Sequence, residues 1–125
     1  DIALVALAGP LTNIVLAVIT SIVFHVINLI LPPTNITISI LHWFILTIAQ
    51  LNLLLAIFNL LPIPPLDGSK VFALVLPREL ANVYLSISSI GFFIIIFLLF
   101  FHTGPFSLRG IISNLLAFSE KLLGI

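Results

Sequence analysis

Asp67 closes the run Asn59-Leu-Leu-Pro-Ile-Pro-Pro-Leu-Asp-Gly68, behind three prolines, Pro62, Pro64 and Pro65. The residues before this run are almost entirely apolar. A carboxylate beside a membrane span is costly to place and marks a functional site by default. Three prolines remove three backbone donors and stop a helix that would otherwise continue. Non-helical backbone at membrane depth persists only where protein or a polar cavity surrounds it. Two chemistries remain open for Asp67. It could open the short helix that follows, with Lys70 as its ion partner. It could instead give a hard oxygen to a divalent metal such as zinc, held on a rigid Pro-Pro platform next to Gly68. Asn59, eight residues earlier, could offer its amide to a substrate carbonyl or a developing oxyanion. The prolines also leave backbone carbonyls that an extended peptide could pair with.

Composition says what kind of element must carry these residues. The chain has 125 residues, 62% hydrophobic and 6% charged, with a mean hydropathy of +1.41. Soluble domains carry about 25% charged residues, so this is an integral membrane protein. Net charge is zero and no basic run exists, which argues against nucleic acid as a partner. With no cysteine, disulfide and thiolate chemistry are excluded. The chain begins at Asp1 without a basic leader, and is expected to be part of a larger protein.

The pattern predicts an all-α membrane bundle of about three transmembrane helices plus a short amphipathic or final C-terminal helix. Residues 1–125 read as a single membrane-embedded unit. The first apolar run covers about Ile2 to Leu31, with the spanning helix expected to start near Pro10. Pro32-Pro33-Thr34-Asn35 makes a turn, and a second span covers about Ile38 to Leu61. After the proline segment come a short amphipathic stretch, Ser69 to Leu76, and a polar turn, Pro77-Arg78-Glu79. A third span covers about Asn82 to Phe101. From Leu108 onward, apolar residues recur at helical spacing opposite Arg109, Ser113, Asn114 and Lys121. That reads equally as an interfacial helix or a short final span.

Polar residues inside the spans form stripes. Gly9, Asn13, Ala17, Ser21 and His25 follow at i+4, with Asn28 three later. Ala49, Asn52, Ala56 and Asn59 alternate by three and four. Small residues and amides at such spacing let membrane helices pack closely. For Asn13 and Asn52, packing is the simpler reading. No two of His25, His42 and His102 have the i, i+4 spacing of paired metal ligands. Hydrogen bonding is expected for His25 and His42, and an interfacial position for His102.

The run from Asn59 to Gly68 resembles the second zinc-site motif of site-2 proteases, which are zinc metalloproteases that cut within transmembrane segments. Ala8-Gly-Pro-Leu-Thr-Asn13 is similar to the glycine-proline-asparagine motif of the family's preceding core helix. The match covers about residues 1 to 80. The resemblance implies that Asp67 is the third ligand of Zn2+ and that Asn59 holds substrate or the oxyanion. It also implies that Gly9, Pro10, Asn13, Pro62, Pro64, Pro65 and Gly68 shape the site. A transmembrane protein would be the substrate and the lipid bilayer the surroundings. The home would be a prokaryotic plasma membrane, with the Asp67 loop toward the cytosol. The chain departs from the family in containing no HExxH. That motif supplies two zinc ligands and the catalytic base. It is expected in upstream helices of the same protein, and this chain alone is expected to be inactive. A non-catalytic scaffold, or a degenerate relative that binds membrane segments without cutting, is the alternative. A carrier with a broken helix would also explain an intramembrane acid, but predicts inverted repeats that the sequence lacks.

Overall fold

The structure, a computed structural model, describes residues 2–101, 104 and 106–125. Among the described residues it is all α, in six helices in the order α1 (Ile2–Ile30), α2 (Ile36–Asn59), α3 (Asp67–Phe72), α4 (Arg78–Ser86), α5 (Ser88–Phe101) and α6 (Leu108–Leu123). A 3₁₀ turn, Ala73–Val75, follows α3. His102 lies outside the described residues.

α1 and α2 are the spanning hairpin. At 29 and 24 residues they reach about 43 and 36 Å, enough to cross a hydrocarbon core of about 30 Å. Their seam is built from the two stripes. Ala17 and Ala49 are fully buried, and Ala6, Ser21, Leu53 and Ala56 nearly so. Such small side chains allow close backbone approach, where packing and not a hydrophobic gradient holds helices together. The α1 stripe drifts out of the seam, which leaves His25 and Asn28 exposed. Asn52 donates to its own Ile48 carbonyl at 2.9 Å and does not bond across the contact. Asn35 caps α2, accepting from the Ile38 amide at 3.0 Å, so the helix starts two residues earlier than expected.

α1 does not start at Pro10. The helix runs through that residue from Ile2. Pro10 cannot donate to the Ala6 carbonyl, yet its ring is fully buried. Packing offsets the lost bond, and the expected break is absent.

The third apolar stretch also differs from expectation. It is two helices, α4 and α5, bent by 65° at Ile87. They count as one span only if the bent pair is taken together. The tail is not an isolated surface helix. α6 opens beside the apolar cluster Leu61, Ile95, Leu108 and Ile112. It ends where His25 donates from Nε2 to the Leu123 carbonyl at 2.9 Å. His25 lies sixteen residues beyond Gly9 on α1, about 24 Å along the axis, which is also about the length of α6. α6 therefore runs along the hairpin as its final helix.

Candidate functional site

The end of α2 is fixed by the proline run. Asn59 is the last helical residue, and the Leu60 amide closes the turn on the Ala56 carbonyl at 3.1 Å. Leu61 then donates to Phe58 at 3.2 Å, and Leu66 to Ile63 at 2.9 Å. The Pro64–Pro65 peptide is cis. Ser69, 1% exposed, donates through both its amide and its hydroxyl to the Leu66 carbonyl, at 3.1 and 2.6 Å. That double bond starts α3 and places Asp67 in its first turn.

Gly68 lies where a Cβ would sit on the Leu60 and Leu61 carbonyls. Only a residue without one lets α3 start against the end of α2. Gly9 faces the acid at ordinary contact distance. A Cβ there would stand 3.4 Å from Asp67 Oδ2. The glycine of the Ala8–Asn13 motif and the acid of the Asn59–Gly68 motif thus come together across the α1–α3 contact.

Asp67 accepts no hydrogen bond from the described residues. Lys70 stands 3.9 Å from Oδ1 on an exposed face, too far for a hydrogen bond. Both features of the simpler reading are therefore present, the helix start and the nearby lysine. The lysine makes a long ion pair with Oδ1, and Oδ2 has no partner among the described residues. Asn59 and Asn13 are half-buried, and neither side chain is hydrogen-bonded among the described residues. A cavity of about 380 Å³ opens beside the segment, lined by Ile2, Pro64, Pro65, Ser69, Lys70 and Leu85 among others.

The segment offers less free backbone than its prolines suggest. The carbonyls of Pro62, Ile63 and Leu66 all accept hydrogen bonds within the chain. Two of the contacts that hold the segment were missed in the sequence. The Tyr84 hydroxyl donates to the Pro62 carbonyl. At Gly91 a Cβ would sit on the Pro64 carbonyl. The available signals were slight: Tyr84 is the chain's one tyrosine, and Gly91 opens an otherwise apolar run.

A catalytic zinc takes three protein ligands and a water. Among the described residues, no three His, Asp or Glu side chains converge. Asp67, with an unbonded hard oxygen beside a glycine, suits one of the three positions. The described residues do not supply a complete set.

The model of peptidase family M50 matches residues 33–102. MJ0611 of Methanocaldococcus jannaschii, a candidate zinc metalloprotease, is 49% identical over 67 residues, covering 54% of this chain and 31% of the relative. YwhC of Bacillus subtilis, also a candidate zinc metalloprotease, is 36% identical over 103 residues, covering 80% of this chain and 45% of the relative. The chain spans less than half the length of either relative. No solved structure matches it.

Proposed function

The chain belongs to peptidase family M50, the site-2 protease family, and we propose that it forms the C-terminal part of the membrane core of a zinc-dependent intramembrane protease. In this reading residues 1–125 are one unit, and the remaining ligands and the base come from helices upstream of it. Asp67 is one metal ligand and not the base. Zinc, when bound, lowers the pKa of its water to about 7 and polarises a carbonyl. The residues of this chain bind and orient. Asn59 donates its amide to the scissile carbonyl oxygen as negative charge develops there. Gly9 lies against the Asp67 carboxylate on α1, and Asn13 lies one turn further along the same stripe. In the reaction, water adds to the peptide carbonyl, the C–N bond breaks, and a proton goes to the leaving amine. The substrate is the transmembrane segment of another protein, cut in a prokaryotic plasma membrane with the Asp67 loop on the cytosolic side.

The observation that supports this most is the approach of Asp67 Oδ2 to Gly9. Two motifs distant in sequence meet at a carboxylate oxygen that has no hydrogen-bond partner among the described residues, the Lys70 ion pair being on the other oxygen. The test is Asp67→Ala in the full-length protein. Bound zinc and cleavage of a membrane-segment substrate should both be lost, with the protein still inserted in the membrane. Wild-type zinc content and cleavage would overturn the assignment. Residues 1–125 alone should show no zinc-dependent cleavage.

A further inference from the structure

We infer that the bent helix pair α4–α5 is a two-point clamp on the proline segment, with Tyr84 and Gly91 as positioning residues for Asp67. The Tyr84 hydroxyl holds the Pro62 carbonyl, and the backbone at Gly91 closes on the Pro64 carbonyl. Pro62 and Pro64 lie five and three residues before Asp67. Neither has a backbone donor, so the chain cannot secure itself at these points by a helical or strand ladder. Restraint has to come from outside, and α4–α5 supplies it.

The two contacts come from the two arms of one bent element: α4 carries Tyr84, α5 carries Gly91, and the arms meet at 65°. The Tyr84 ring is itself steadied edge-on by Phe72, at 5.6 Å between centroids. Phe72 closes α3, the helix that Asp67 opens. Tyr84 therefore touches elements on both sides of the acid. Deeper in, Ile95 of α5 packs with Leu61, so the same helix also fixes the start of the segment.

The metal part of this inference rests on Asp67 being a ligand. Partners outside the ligand set, when removed, commonly cost 10- to 100-fold in metal affinity or activity. The experiment compares Tyr84→Phe, Gly91→Ala and Asp67→Ala in the full-length protein. It reads zinc affinity by chelator competition and amide hydrogen exchange across residues 60–72. It also reads the visible spectrum of the cobalt-substituted protein, which reports ligand geometry. Tyr84→Phe keeps the ring and loses only the hydroxyl. It should speed exchange in the segment, weaken zinc binding about tenfold and alter the cobalt spectrum, with the fall in cleavage in kcat and not KM. Gly91→Ala should do the same more strongly. If Gly91→Ala fails to fold, Tyr84→Phe alone decides. Wild-type exchange and zinc affinity in Tyr84→Phe would overturn the clamp, even if Asp67→Ala loses zinc. Faster exchange in Tyr84→Phe together with full zinc binding in Asp67→Ala would leave the clamp standing and remove the ligand assignment instead.

Discussion

The two ends of the α1–α2 hairpin treat polar side chains in opposite ways. At the far end the histidines are engaged: His25 donates to Leu123 at 2.9 Å, and His42 uses Nδ1 on the Ile38 carbonyl at 2.7 Å. At the proline end the backbone is tied down, Ser69 and Thr12 bond to nearby carbonyls, and three larger polar side chains are left available. Asp67, Asn59 and Asn13 have no hydrogen bonds among the described residues, while Pro62, Ile63 and Leu66 have their carbonyls occupied. A bilayer offers no water to satisfy polar groups, so each needs a partner or a function. Bonded polar groups read as structure. Free ones on a rigid support read as a site. Ser21 Oγ and His42 Nε2 are also without partners, but their residues are 2% and 7% exposed inside the α1–α2 seam, sealed from any substrate. Asp67 is a third exposed.

The comparison breaks most visibly at Gly68. Gly68→Ala drives a methyl into the Leu60 and Leu61 carbonyls. Backbone cannot yield as a flexible side chain does, so the segment has to move. We expect about 3 kcal/mol of destabilisation, the upper end for overpacking, and at least a hundredfold loss of cleavage in the full-length protein. Thermal unfolding in lipid and a cleavage assay measure the two effects. A variant with normal values for both would mean that the support is not rigid.

Asn59 sharpens the comparison, because the two ends predict different kinds of loss. Its amide is free, so Asn59→Ala should leave the unfolding midpoint unchanged. If it meets a developing oxyanion, kcat should fall by about 10²–10³, the usual loss for one such donor. A lowered midpoint with unchanged kcat would turn Asn59 into a structural residue like those of the far end.

What the sequence carried and what it missed divide along the same line. The hairpin was legible, because long apolar runs and the small-residue stripes depend on nothing distant. Asp67 and Asn59 stood out because a polar group among apolar ones, next to prolines, has few local explanations. The continuity of α1 through Pro10 was not legible, since it depends on how well the ring is buried. Nor was the bend at Ile87, in a stretch that passes as one span by composition. Tyr84 and Gly91 meet carbonyls 22 and 27 residues away (84 − 62 and 91 − 64), and a pattern of neighbours does not encode such contacts. The tail was ambiguous for a related reason. Its periodicity describes an amphipathic helix, and only distant contacts, His25 with Leu123 and Leu61 and Ile95 with Leu108 and Ile112, say what it lies against.

The smallest effect is expected at the far end, where His25→Leu removes the bond to the last turn of α6. The Leu123 carbonyl is among those that a helix end leaves without an intrahelical donor. Gly124, in the left-handed conformation at φ 72°, turns the chain so that Ile125 and Gly124 donate back to Glu120 and Lys121. This closure satisfies the preceding turn and leaves Leu123 to the histidine. Interhelical bonds in membranes are worth about 1 kcal/mol or less, so the unfolding midpoint should fall only slightly. Cleavage should stay within about twofold of wild type, because α6 is also held at its other end by Leu108 and Ile112 against Leu61 and Ile95. A tenfold loss of cleavage without a change in stability would place a functional group at the end taken here as purely structural. The contrast between the two ends would then fail where it is most exposed to measurement.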